Sequence, residues 1–433
     1  MNYRYNFEAL DSGAKAVFVN LPHFRTTSIR IVVRSGAMSE NKNNAGSAHF
    51  LEHMTFAGTE NLPTEIVGNR YASDNDIYQN AYTHTDHTTY VTDGYDFDST
   101  AFLITQRVFK ASLPKDEYEK VKEGVITEIS SNLADPYLNS RIKQWKTVFG
   151  DDATGKISGE VEDIENMTYE NLLDFYDKNY KLENCWIVVC SSESINSQRK
   201  KMNKLLSDVK NRSNKKPSKF RDFSFNPNNN KYSLDIVDVP KSATTLVTLY
   251  YPLKVPENAT VRVSNNIVAK GLSNFLHSVL RTDLDLVYED IVGIDVESNL
   301  SFDNAKKTFY FYISTEAVEA NVIKVLDAII GKIINVDIPD YWIKSAIDGT
   351  IREPDYILQN NPESTANSIV DNLFYNGSDY VDFFEEKEIA KSLSVSDIQK
   401  LKKEILSIKP VITASSPSQK VLDDIEEWAD KLK

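Results

Sequence analysis

Hydrophobic and polar positions along this chain alternate in two rhythms, one of strands and one of helices. Residues 14–20 and 28–34 are apolar-rich runs that read as strands, joined across Pro22 and His23. His23 falls in that turn-like segment and reads as a solvated side chain. Residues 35–46 form a mostly polar loop. The next stretch places Phe50, Leu51, Met54 and Phe56 as a buried helix would, with Ser47 positioned to cap it. Beyond Gly58 and Pro63 the pattern predicts a helix from about Glu65 to Ser73 and strands over 77–83 and 88–93. Helices follow over 96–111 and from Lys115 to about Ser131, the second with Val121, Val125 and Ile129 at four-residue spacing. Asp135-Pro136 ends or kinks that helix.

A longer period then appears. Thr168 caps a helix over 169–180, and an apolar strand over 186–190 ends in Ser191-Ser192. Near the C-terminus Leu393-Ser394 opens a helix to about 405, and a strand over 410–414 runs into Ser415-Ser416. These are matching ends of two repeats. The polar, turn-rich stretch 211–230 separates them as a linker, giving expected domains at 1–210 and 231–433. The second half opens with strands over 234–239 and 245–251 and a long helix over 259–280.

Composition narrows the class. A chain of 433 residues, 41% hydrophobic and 26% charged, predicts two or three globular domains. Its 63 acidic against 49 basic residues give a net charge of -14, which argues against nucleic acid as a partner. No apolar run approaches a membrane span. The first eight residues lack both the apolar core of a signal peptide and the Arg-rich character of a transit peptide. Cys185 and Cys190 lie in an apolar strand and read as buried thiols rather than a disulfide. A cytoplasmic, reducing setting is the expectation.

The chemistry concentrates in His49-Phe50-Leu51-Glu52-His53. At about 100° per residue, His49 and His53 stand one turn apart on one face, and Glu52 completes an arc of about 100°. Two imidazoles so placed can ligate one cation, and the carboxylate can reach a water held there. This is the inverted arrangement of the zinc-protease His-Glu-x-x-His signature. The competing reading is two core histidines beside a surface Glu. Elsewhere His277 stands alone on its helix and reads as structural, so one metal site is expected, not two. His84 and His87 lie between two strands and read as turn residues near a cleft rim rather than a second site.

The stretch from His49 to Thr59 resembles the metal helix of the pitrilysin and mitochondrial processing peptidase family of zinc metallopeptidases. Asn80-Ala81-Tyr82-Thr83 is similar to that family's strand beside the site, which helps hold substrate backbone. Gly124-Val125-Ile126-Thr127-Glu128-Ile129 resembles the segment bearing the third ligand, with 74 residues between His53 and Glu128. Arg281 and Tyr288 stand at the family's spacing for an Arg and a Tyr that reach the substrate from the second domain. Two departures are visible. Val121 stands where the family usually has an acid supporting the ligands, and the glycine-rich entry to the Arg-Tyr segment is reduced to Gly271.

The resemblance implies an α+β fold of two homologous domains, each an antiparallel sheet packed with helices, as half-shells around a central cavity. It implies one zinc held by His49, His53 and Glu128, with Glu52 as general base. Asn80, Ala81 and Tyr82 would bind substrate backbone, and Arg281 and Tyr288 would donate to it or to the developing oxyanion. Expected partners are unfolded peptides, with room for a homodimer or a heterodimer with a related chain. Two rivals stand beside this endopeptidase reading. A non-catalytic subunit of the same fold usually has a broken metal triad, whereas all three ligands and the base are present here. A small-molecule hydrolase using the motif would need only one short domain.

Overall fold

The computed structural model describes residues 5–149, 157–220, 232–240, 244–253, 256–282, 291–299, 309–334, 338–375 and 383–432. The first half runs β1 (Tyr5–Ala9), β2 (Lys15–Asn20), β3 (Thr27–Val33), α1 (Ser47–Ala57), α2 (Glu65–Asp74), β4 (Tyr78–Thr83) and β5 (Thr88–Gly94). It continues through α3 (Phe97–Phe109), α4 (Tyr118–Ala134), α5 (Pro136–Phe149), α6 (Val161–Asn166), α7 (Tyr169–Asn179), β6 (Cys185–Ser191) and α8 (Ile195–Leu206). The second half holds β7 (Tyr232–Ile236), β8 (Thr245–Leu253), α9 (Ala259–Thr282), β9 (Ile291–Asn299), β10 (Phe309–Ala317), α10 (Val322–Ile334) and α11 (Asp340–Ile357). It closes with α12 (Pro362–Tyr375), α13 (Phe383–Ser392), α14 (Val395–Leu406), β11 (Val411–Ser416) and α15 (Gln419–Lys431).

Packing divides the chain into two compact units. One takes Met1–Ser131, Gly155–Asp222 and Asp355–Phe374; the other takes Asn132–Thr154, Phe223–Pro354 and Tyr375–Lys433. Two helical segments are thus each packed with elements of the opposite half. In the second unit, α5 seats Ser140 and Gln144 on Ser415 of β11, at 2.6 and 2.7 Å, inside a buried polar cluster. In the first, Asn367 of α12 accepts a bond from the buried Arg30 of β3 at 2.9 Å.

The first unit's sheet has the order β1-β2-β6-β3-β5-β4 and the second β7-β11-β8-β10-β9. Five strands correspond one to one in order and in sense. Among the described residues each sheet has one parallel pair, β2 with β6 and β7 with β11, in an otherwise antiparallel arrangement. That pair is the exception in sheets that are otherwise antiparallel, as expected. It arises because β6 and β11, each reached through a run of helices, lie between strands that precede them in the chain. The matching phrases seen in sequence are matching structures. Thr168 and Ser394 cap α7 and α14, and the strand that follows each helix ends in a serine whose hydroxyl accepts an N–H two residues on.

Central strands β3 and β6 are buried along their whole length; β6 is apolar up to its terminal Ser191, whereas β3 carries Thr27, Ser28 and an Arg30 paired with Asp93 at 2.8 Å. Phe50, Leu51 and Met54 of α1, all fully buried, belong to the same core as apolar residues of these strands. Cys185 and Cys190 are free buried thiols, and burial pushes both pKa values up. The Asp135 carboxylate accepts the N–H groups of Tyr137 and Leu138 and starts α5 at Pro136, so the helix ahead of Pro136 ends there.

Some expectations fail locally. Ser47 does not cap α1; Gly46 is the N-cap, in the left-handed region, and no side chain bonds from that position. Strand β1 was not visible in the pattern. His87 is buried, bonded to Asp86 at 2.6 Å, rather than exposed at a rim, whereas the neighbouring His84 is exposed. His23 is exposed, and His277 approaches the Ser273 carbonyl of its own helix at 2.8 Å, a structural role.

Candidate metal centre

The site is built on α1, a short helix held at both ends. At its start, a Cβ on Gly46 would come within 2.5 Å of Ile164 Cδ1, so the φ of 84° and the close approach both require glycine. The helix N-terminus is satisfied from upstream. Gly46 and Ala48 donate their N–H groups to Glu40 Oε2 and Oε1, each at 2.8 Å, and Glu40 is buried.

One turn in, His49 and His53 bring their Nε2 atoms to 3.3 Å. Glu128, from α4, places Oε1 3.4 Å from His49 Nε2 and Oε2 3.2 Å from His53 Nε2. Donors at about 2.0–2.1 Å from a tetrahedral zinc stand about 3.3–3.4 Å apart, which the 3.3 Å between the two Nε2 atoms matches, and Glu128 offers one carboxylate oxygen at that range to each imidazole. Among the described residues this is the one group of three such side chains close enough to share a metal. Burial, aided by His53 and opposed by Glu128, lowers the His49 pKa to about 4, which keeps the imidazole neutral as ligation requires. His49 Nδ1 is buried and meets no hydrogen-bond partner among the described residues. Val121, packed against the core where the resembling family has an acid, brings no acceptor.

Glu52 points to the next strand. Thr83 Oγ1 donates to Glu52 Oε2 at 2.5 Å. Burial raises the Glu52 pKa above the usual carboxylate range, and the Thr83 bond partly offsets that rise. Behind α1, Thr55 faces Tyr90, whose hydroxyl meets that of Tyr180 at 2.8 Å; both tyrosines are buried.

Strand β4, which carries Thr83, is the edge of its sheet, paired on one side with β5. Its pleat sends Gln79, Ala81 and Thr83 toward the helices and Tyr78, Asn80 and Tyr82 to the other face. Ala81 is buried, so it can offer a ligand only its backbone. Asn80 Nδ2 donates to both tyrosine hydroxyls, at 3.0 and 2.9 Å, and holds the two exposed rings in place.

The structure therefore brings His49, His53, Glu128 and Glu52 together, with the Asn80–Tyr82 strand beside them. Tyr288 and the side chain of Arg281 lie outside the described residues. Sequence reasoning gave no role to Glu40, Thr83, Tyr90 or Tyr180. Only Thr83 carried a signal, as the last residue of the quoted strand motif.

Family models match along most of the chain. Residues 15–145 match the insulinase, peptidase family M16 model, and residues 166–349 match the M16 inactive-domain model. The chain belongs to the M16 peptidase family. The insulinase-type match contains α1 and Glu128, and the inactive-domain match runs from the end of α6 in the first half to α11 in the second. An uncharacterized zinc protease of Rickettsia bellii is 26% identical over 225 residues, 51% of this chain and 54% of that protein. The mitochondrial-processing peptidase subunit beta of Saccharomyces cerevisiae is 26% identical over 184 residues, 40% of this chain and 38% of that protein. The alignments thus span about half the length of these relatives or less. A Helicobacter pylori protease structure has the same M16 fold, with a TM-score of 0.80 at 17% identity, covering 96% of this chain and 100% of that one.

Proposed function

We propose that this protein is a zinc-dependent endopeptidase that cleaves unfolded peptides laid as an added strand along β4. The observation that carries the reading is the Glu52–Thr83 bond, which sets a half-buried carboxylate between the His49–His53–Glu128 group and β4, the outermost strand of its sheet among the described residues. His49, His53 and Glu128 would hold the ion. Bound zinc supplies Lewis acidity, bringing the pKa of water toward neutrality and polarising a peptide carbonyl.

The remaining work belongs to the chain. The outer edge of β4 presents backbone N–H and C=O groups to an extended peptide, which only an unfolded segment can match. Thr83 occupies Glu52 Oε2, and Glu52 takes the proton from water at its other oxygen and delivers it to the leaving amine. Burial raises the Glu52 pKa, which makes the carboxylate a stronger base toward the proton of water. By the family resemblance, Arg281 and Tyr288 donate to the substrate backbone or oxyanion.

The non-catalytic alternative is weaker, since each ligand and the base are present and mutually placed. Incubating zinc-loaded protein with an unstructured peptide tests the reading. Internal cleavage is expected from the wild type and not from Glu52→Gln. Zinc binding without any cleavage would leave the non-catalytic reading in its place.

A further inference from the structure

Arg107 of α3 is 1% exposed and reaches both elements on which the site depends. Its Nη1 donates to the Phe56 carbonyl at 2.9 Å, and its guanidinium lies 4.8 Å from the Phe56 ring centroid. Phe56 is in the last turn of α1, where carbonyls lack helical donors and a cation is favoured. Arg107 Nε donates to Gln79 Oε1 at 3.2 Å, and Gln79 Nε2 donates onward to Asn69 Oδ1 of α2 at 3.0 Å. Gly68 of α2 closes over the group: a Cβ there would stand 2.3 Å from Nη2. Nη2 itself is buried and meets no hydrogen-bond partner among the described residues, where packing and its two sister nitrogens hold the fork in place.

We propose that Arg107 is a positioning residue that fixes β4 against the metal helix so that Thr83 meets Glu52. The inference rests on the reading of Glu52 as the base. Gln79 and Thr83 lie on the same face of β4, four residues and about 13 Å apart. Phe56 and Glu52 lie four residues apart on α1, about 6 Å along its axis. Arg107 ties one end of this pair of elements and Thr83–Glu52 ties the other. Two ties prevent the edge strand from pivoting, which its one-sided ladder with β5 does not do alone. The planar fork serves both acceptors at fixed angles, which the point charge of a lysine does not reproduce. Burial lowers the guanidinium pKa only to about 10, so it stays charged at neutral pH.

The test uses Arg107→Met, Arg107→Lys and Gly68→Ala in the full chain, the last pressing on the guanidinium while leaving its acceptors intact. Three readouts are followed: zinc content, amide exchange of residues 78–83, and kcat. Zinc content is expected to stay at the wild-type level. Exchange in β4 is expected to rise at least ~10-fold in Arg107→Met, with Arg107→Lys and Gly68→Ala between it and wild type. A roughly 10-fold fall in kcat should accompany it, and the same substitution made in a Thr83→Val background should cost kcat little more. Unchanged β4 exchange in both Arg107→Met and Gly68→Ala overturns the proposal, as do fully additive kcat losses with Thr83→Val. If the wild type cleaves no peptide, the base reading fails while the exchange measurement still decides the tie. If Arg107→Met does not fold, Gly68→Ala and Arg107→Lys carry the same exchange comparison.

Discussion

Thr83 Oγ1 lies 2.5 Å from Glu52 Oε2, joining the edge strand of the first unit to its metal helix. This bond favours the ionised carboxylate, against the burial that raises its pKa. Replacing Thr83 by Val removes the donor and leaves burial unopposed, so the Glu52 pKa rises further. The acid limb of the kcat/KM profile should move to higher pH, with zinc content unchanged. An acid limb at the wild-type position would separate Thr83 from the reacting carboxylate.

Glu52→Gln has consequences for turnover and for stability. Turnover should fall at least ~100-fold, the scale of losing a general base, while zinc is retained. The folded pKa of Glu52 is raised, so its charged form opposes folding at every pH above that pKa. That cost disappears once pH falls below the ordinary carboxylate value. Metal-free Glu52→Gln should therefore melt above the wild type at pH 7, with the gain shrinking toward pH 4. A gain independent of pH would assign the effect to something other than ionisation.

Glu40 supplies both acceptors at the start of α1. Its replacement by Ala leaves two buried N–H groups without partners and should cost about 2 kcal/mol in denaturant unfolding of the first unit. Glu40→Gln keeps one acceptor and should cost less. Equal losses for the two variants would mean that packing, and not the cap, is what Glu40 contributes.

Neither thiol should react while the chain is folded. Cys185 and Cys190 are buried, and burial disfavours their thiolates. A thiol reagent at pH 8 should label neither in native protein and both in denaturant; labelling of either in the native state would contradict the burial.

The metal helix was legible because its chemistry is local: one helical turn puts His49 and His53 together wherever α1 sits. Glu128 was reached only through resemblance, since 74 residues separate it from His53 and no periodicity connects them. The Thr83–Glu52 bond depends on a strand packing against a helix, which spacing along the chain does not encode. Gly46 shows the opposite case. Ser47 has the residue type of a cap, but the left-handed glycine before it and a carboxylate six residues upstream of that glycine satisfy the helix instead. The placement of α5 and α12 was equally hidden, because an amphipathic pattern says that a face is buried and not which sheet buries it.

The zinc affinity of Glu128→Ala, measured beside the wild type by equilibrium competition with a chelator, tests the metal centre most directly. The wild type should hold about one zinc per chain, and the variant should bind at least ~10-fold more weakly, since a three-ligand site reduced to two loses its geometry. Wild-type affinity in Glu128→Ala would contradict the His49–His53–Glu128 centre.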